Sequence, residues 1–491
     1  MRLAHSLSTS SSQVCLGKQH TFASSVVLVI NIVGVLLNCN SVNAVNIDQE
    51  IREYGVGENP CLIYINNTFS LTCNFNWVDH YSFSDFIMLQ ENEVFNGNNH
   101  QIGLNDLSNF WNGLFKINST VEWNNSPVIK QLHMRGGATL SRGGFLVQAF
   151  QNNFTVDSCS SSGTIGGSAS GGGAGGICGR ECSGIIVIKN SWSTGTIEGP
   201  NTGGIAGSRL GDHGGQVIIT NCWSEGDISG TSSGGISGSG TGRNGGVVII
   251  TKSYSKGDIK GHNGGGISGS SPGSNNGCVK ISQCYSIGEM SGFGSGGVAS
   301  WGTGRDNGHV EIENCYTRGQ ITSTNREAPS GGICGFETGR NNGVVLIRNV
   351  YTLGSVHHSE YSGAGGIIGH VNSEAKEVNV TMSVYNGEPM IGSDQANVTF
   401  ASRNSDNLED ILGKVYCHKN STSGASLCWD TKTIWGVLPN RFPILQAQLS
   451  SPPTVPVPQA PSNTQHRIIV LPVQCNQGSK RSFTYRRNSR E

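Results

Sequence analysis

Residues 247 to 269 read VVIITKSYSKGDIKGHNGGGISG, and between about residues 155 and 386 the chain carries seven variants of this phrase. Its aromatic member returns as Trp192, Trp223, Tyr254, Tyr285, Tyr316, Tyr351 and Tyr385, at steps of 31, 31, 31, 31, 35 and 34 residues. A repeat of about 20 to 50 residues is the signature of a solenoid, in which each unit buries its apolar face only against its neighbours.

The period divides into a fixed and a variable part. From Trp223, Tyr254 and Tyr285 to the next Gly-Gly-apolar step at Ile236, Ile267 and Val298 is 13 residues, whereas Tyr316 to Ile333 takes 17. The return from that step to the next aromatic takes 18 residues in six cases, Ile236 to Tyr254 among them, and is shorter only from Ile177 to Trp192. Insertions before the Gly-Gly step mark that connection as a surface loop. Within the fixed part, Gly211, Gly242, Gly273, Gly304 and Gly339 form one column and Gly215, Gly246, Gly277, Gly308 and Gly343 another, one turn copied from coil to coil.

After each turn comes an alternation such as Val310-x-Ile312 or Val345-x-Ile347, a strand with one buried face. Two residues later stand Asn190, Asn221, Lys252, Gln283, Asn314 and Asn349. A straight alternation through this column would turn the aromatics inward and Ile228, Ile259 and Ile321 outward. A bend there resolves the conflict. Ser191, Cys222, Ser253, Cys284, Cys315 and Val350 then face the interior with Ile197, Ile228, Ile259, Met290 and Ile321, and the aromatics face out. Three short strands and three turns in about 31 residues predict one coil of a right-handed parallel β-helix, an all-β solenoid of about ten coils.

Composition agrees. The chain has 71 glycines and 14 prolines in 491 residues without a collagen triplet, and only 13% of its residues are charged. With 32 basic against 33 acidic residues there is no general electrostatic case for a nucleic-acid partner.

Residues 1–44 read as a signal peptide, with VVLVINIVGVLL at 26–37 as its apolar run and Val42-Asn43-Ala44 as a cleavage point. A dozen apolar residues is short for a membrane span of about 20, so a membrane contact is expected only if the leader stays uncleaved as a signal anchor. The expected organisation continues with an N-terminal cap at 45–82, a β-helix at 83–386 with repeats strongest at 155–386, a capping segment at 387–449, and a proline-rich linker with a basic, disordered tail at 450–491. A secreted or cell-surface location predicts N-glycosylation at Asn66, Asn118, Asn124, Asn153, Asn379, Asn397 and Asn420, each opening an N-x-S/T triplet. It also permits disulfides, for which Cys61 with Cys73, Cys178 with Cys182, and Cys417 with Cys428 are near enough in sequence. Cys222, Cys284 and Cys315 share the inward column and read instead as small buried side chains. No cysteine and histidine spacing suits zinc, and no cofactor is expected.

The entry to the repeats carries Phe95, Gly97, His100 and Ile102, then Gly113-Leu114-Phe115, and the repeats themselves carry Asn314-Cys315-Tyr316-Thr317-Arg318-Gly319-Gln320-Ile321. With WDTKTIWGVLPNRFPIL at 429–445, this resembles the GLUG-motif group of secreted right-handed β-helix proteins over roughly residues 83 to 446. The Gly-Gly-Ile-x-Gly step departs from that group by often carrying Ser or Ala where a second aliphatic is common there. The resemblance implies fold and surface exposure more strongly than any one activity.

Two surfaces are candidates for function, and a third signal is weaker. The outward aromatic column would form a strip whose flat faces suit the apolar faces of sugar rings, unless the rings stack on one another and merely stiffen the wall. A second column holds Asp227, Asp258 and Glu289 beside Lys256, Lys260 and Arg318. On a β-helix such a set suits a polysaccharide lyase or uronate epimerase, and close carboxylates there could take calcium. The same column continues as Thr164, Thr196, Gln320 and Ser355, a pattern equally at home on a solvated wall. The weaker signal, set aside, is that Arg243, Arg305 and Arg340 share a turn column with Asp212 and Ser274 and could meet an anionic ligand; turn arginines are more often only solvated. The expectation is a structural or adhesive protein contacting extracellular glycans through the aromatic column, with catalysis by the acidic column as the alternative.

Overall fold

The computed structural model describes residues 61 to 445 apart from short internal stretches; beyond residue 404 it describes only 417–419, 426–428, 434–436 and 444–445. Parallel strands stack in about nine coils of ~31 residues, a β-solenoid with almost no helix. The expected leader, spacer and basic tail lie outside the described residues.

Each central coil opens with the strand that the alternation predicts. Val247–Thr251 pairs in parallel with Gln216–Thr220 on one side and Cys278–Ser282 on the other. Register is kept residue by residue, so Val248 stands between Val217 and Val279, and Ile250 between Ile219 and Ile281, all of them buried. Side chains alternate across a strand, and only an in-register stack gives every coil the same interior.

The expected bend is present and has a simple cause. Asn190, Asn221, Lys252, Gln283, Asn314 and Asn349 all take a left-handed backbone, with φ between 51° and 54°. Asparagine tolerates this region better than most residues. The Asn221 carboxamide also donates to Asn190 Oδ1 at 2.8 Å, as Asn349 does to Asn314 Oδ1 at 3.3 Å. One such residue per coil turns the chain and resets the alternation. Ser191, Cys222, Ser253, Cys284, Cys315 and Val350 are consequently buried, and Ile197, Ile228, Ile259, Met290 and Ile321 stack beyond them as a ladder of parallel bridges.

The Gly-Gly step exists because the wall folds tightly there. A Cβ on Gly235 would lie 2.2 Å from the Gly266 carbonyl oxygen and 2.5 Å from the Ser255 Cβ, so no side chain fits. The turn glycine Gly242 has a different reason, a φ of 70°.

The stack begins at an antiparallel hairpin, Leu62–Ile65 with Thr68–Leu71, which the Cys61–Cys73 disulfide closes. Thr68–Leu71 then pairs in parallel with Val94–Leu104 and so starts the ladder. The interior is aromatic at this end, with Phe69, Trp77, Phe95, Trp111 and Phe115 fully buried. Along the repeats it becomes Val, Ile, Cys, Ser and Gly.

Tyr385 leaves the column that the sequence assigns to it. Tyr351 is opposite Val384, and Tyr385 is opposite Thr352, in the inward row. Here Glu377–Tyr385 is one continuous strand of nine residues, and counting from Val378 rather than from the Gly-Gly step places Tyr385 one residue late. Its ring packs against the main core instead of the outer column.

Candidate functional site

The remaining six aromatics stand on one line, each ring over the next. Centroid separations from Trp192 through Trp223, Tyr254, Tyr285 and Tyr316 to Tyr351 are 4.9, 5.9, 4.7, 5.0 and 4.8 Å, with interplanar angles of 10° or less. The ring faces are therefore turned to one another, and what points outward is edges. Sugar stacking needs a free face, and between Trp223 and Tyr316 each ring has both faces covered. At the rim of the stack, Lys256 Nζ lies 5.5 Å from the Tyr254 ring centroid and the Arg318 guanidinium 5.2 Å from that of Tyr316, close enough for cation–π attraction. Burial, then Tyr285 and Glu225, raise the Tyr254 phenol above its ordinary value.

The column is also covered along part of its length. Trp435 lies 6.4 Å from Tyr316 and 5.6 Å from Tyr351, and its indole N–H donates to Asn314 Oδ1 at 3.4 Å. With Leu445 these residues form a second buried cluster in which Tyr316 and Tyr351 are fully enclosed. Trp192, Tyr254 and Tyr285 stay half-buried, and Trp223 is 8% exposed. At the other end His133 tilts against Trp192 at 5.4 Å and meets Ser160 Oγ through Nδ1 at 2.7 Å. Burial, then Arg135, hold its imidazole below the usual range. No spacing in the sequence announces this pair.

The acidic column is joined by its own bases. Lys260 Nζ lies 2.6 Å from Asp227 and 3.4 Å from Asp258, and Lys256 lies 2.7 Å from Glu225. Each aspartate also accepts an amide from the next coil, Asp227 from Asp258 N at 3.1 Å and Asp258 from Glu289 N at 3.0 Å. The Lys260 hydrogen bond, then the Asp258 amide, hold the Asp227 carboxyl below its usual range, and Asp227 in turn raises Lys260. The arrangement resembles a ladder in which each carboxylate caps the backbone of the next coil. Among the described residues no group of three or more His, Cys, Asp or Glu is placed to hold a metal ion.

Two of the three turn arginines, Arg243 and Arg305, line a groove, whereas Arg340 is outside its lining and pairs with Glu337 at 2.8 Å. The groove's cavity, about 530 Å³, is bounded by Arg180, Arg209, Arg243 and Arg305 with serines and asparagines between them. Glu181 pairs with both Arg180 and Arg209, the latter at 2.7 Å, and Asp306 pairs with Arg305 at 2.7 Å. Burial opposes ionisation of both acids, but Arg180 and Arg209 beside Glu181, and Asn341 and Arg305 beside Asp306, keep their carboxyls below the usual range. The column of Arg243, Arg305 and Arg340 is legible in the sequence. Arg180 and Arg209 are not, because they enter the groove from a different position in the turn.

The remaining predicted sites divide. Cys178 and Cys182 are free and buried, so that expected disulfide is not formed, and the Cys182 thiol instead donates to Gln148 O at 3.5 Å. Cys278 is disulfide-bonded instead, a role its place among Val247 and His309 does not suggest. Cys417 and Cys428 are Cα partners in a two-stranded antiparallel pair. Asn66 and Asn124 are exposed and Asn118 is half-buried. Asn153 is engaged at both ends of its carboxamide, donating to Val121 O and accepting from Ile185 N, each at 2.8 Å, and would have to leave this turn to carry a glycan. Asn379 is half-buried within its strand, and Asn397 and Asn420 lie outside the described residues. No protein-family model, curated protein or solved structure matches the chain.

Proposed function

We propose that this chain is a secreted or cell-surface solenoid with a structural and adhesive role, which contacts glycans at the groove over its glycine-rich turns rather than at its aromatic column. The observation that carries the reading is the contrast between the two surfaces. The aromatic faces are closed by stacking, whereas the groove is an open, polar concavity of about 530 Å³ on a rigid wall. Hydroxyl and carboxamide groups between charged residues suit a ligand rich in hydroxyls. The alternative, a lyase or epimerase built on Asp258, would require that carboxylate to abandon both the Glu289 amide and Lys260.

A glycan array probed with the full chain tests the reading. Retention of one or more glycans is expected, and retention of none would contradict it. Incubation with polyuronates, followed for unsaturated products or for inversion of the uronate, tests the alternative. No turnover is expected, and turnover abolished by Asp258→Asn would establish the enzyme in its place.

A further inference from the structure

We propose that the groove binds a linear acidic polysaccharide laid along the solenoid axis, with its anionic groups against Arg209, Arg243 and Arg305. This rests on the glycan-binding reading above and adds the ligand's charge and direction.

Direction follows from how the groove is built. Its lining comes from five successive coils, from Arg180 to Arg305, so the groove runs along the stack. At roughly 4.8 Å per coil its four steps span about 19 Å, a length that a small anion leaves mostly empty and a polymer fills. Arginines stand on the first, second, third and fifth of these coils, so positive charge recurs with the solenoid's own repeat.

Charge follows from the balance of ions. Four guanidinium groups, Arg180, Arg209, Arg243 and Arg305, are accompanied by three carboxylates, Glu181, Asp212 and Asp306, leaving 4 − 3 = 1 positive charge. The excess centres on Arg243. Among the described residues its Nε is buried without a hydrogen-bond partner, and the nearest acid oxygen, Asp212 Oδ2, is 3.9 Å away. The other oxygen of that carboxylate is already used, accepting from the His213 amide and the Asn244 carboxamide at 2.8 Å each. The Nη groups of this guanidinium, whose side chain is 28% exposed, suit a carboxylate or sulfate arriving from solvent, which they can meet with two parallel N–H donors. Between the arginines, Ser208, Ser239 and Ser271 present hydroxyls for sugar hydroxyls. Among the described residues no aromatic ring lines the groove, so they supply none of the stacking platform that single-stranded nucleic acid uses.

The test is binding of the full chain to polygalacturonate and to dextran sulfate, each beside a charge-free twin, fully methyl-esterified polygalacturonate and plain dextran. At least one acidic polymer is expected to bind about tenfold or more tightly than its twin, and to weaken as salt rises past physiological strength. The two acidic arms tell carboxylate from sulfate recognition. Arg209→Ala with Arg243→Ala is expected to lower that affinity about tenfold or more with a loss of only about two to four degrees in Tm from the ion pairs removed, while Arg243→Lys recovers only part of the affinity. Equal affinity for a polymer and its twin would overturn the proposal and leave glycan binding standing. Binding of neither would overturn both. Tighter binding of a single-stranded oligonucleotide of equal charge would assign the groove to a different partner and also overturn the proposal. The comparison of twins uses the unaltered protein, so a misfolded variant cannot obscure the result.

Discussion

At the scale of single residues, the coil is specified by a few positions whose physical demands differ. Gly235 is required by the lack of room for a Cβ, and Lys252 stands where only a left-handed backbone restores the alternation. The inward thiols are held neutral by the low polarity around them. Burial pushes Cys159, Cys222 and Cys334 from 9.0 up to about 12. A folded-state pKa above the unfolded one means that the unfolded chain loses its protons first as pH rises. The stability these thiols lend is therefore complete below pH 9 and lost progressively towards pH 12. The raised phenol of Tyr254 acts in the same direction. Denaturant midpoints measured across that range should fall, and less steeply in Cys222→Ser, since Ser191 and Ser253 occupy the same column. An equally steep fall in the variant would remove the thiols as the cause.

At the scale of elements, sequence reading succeeded where the cause is local and failed where it is not. The strand, the bend and the inward row were all legible, because each follows from residues within one period. Tyr385 was misread because its spacing from Ile367 is kept while its count from Val378 is one too long. The enclosure of Tyr316 and Tyr351 by Trp435 was also invisible, since their partner is far along the chain and follows no repeat. That contact has a consequence of its own. Coils of a solenoid touch only their neighbours, so loss of a lateral anchor should be felt locally. Trp435→Ala is expected to destabilise the coils carrying Tyr316 and Tyr351 by about 3 kcal/mol, the lower end for a buried tryptophan. Amide exchange should speed up there and stay unchanged around Trp192 and Trp223. Uniform acceleration along the whole ladder would mean that the anchor supports the fold globally.

At the scale of the whole molecule, one in-register repeat produces two lengthwise features on different parts of the surface. One is a closed stack of rings, where each pair adds roughly 0.5 to 1.5 kcal/mol beyond the area it buries. The other is an open groove whose arginines recur with the coils. Half of the groove was legible as a column of turn residues. The rest depends on how turns of unequal sequence, those of Arg180 and Arg209, come to lie beside that column in space. The division of labour between the two features is tested by measuring stability and acidic-glycan affinity together in Tyr254→Ala and in Arg209→Ala with Arg243→Ala. Tyr254→Ala should lower Tm by several degrees and leave affinity within about twofold, while the arginine variant should lose about tenfold or more in affinity with a Tm loss of only about two to four degrees. The opposite pattern, with binding lost in Tyr254→Ala at full stability and kept in the arginine variant, would return the binding surface to the aromatic column.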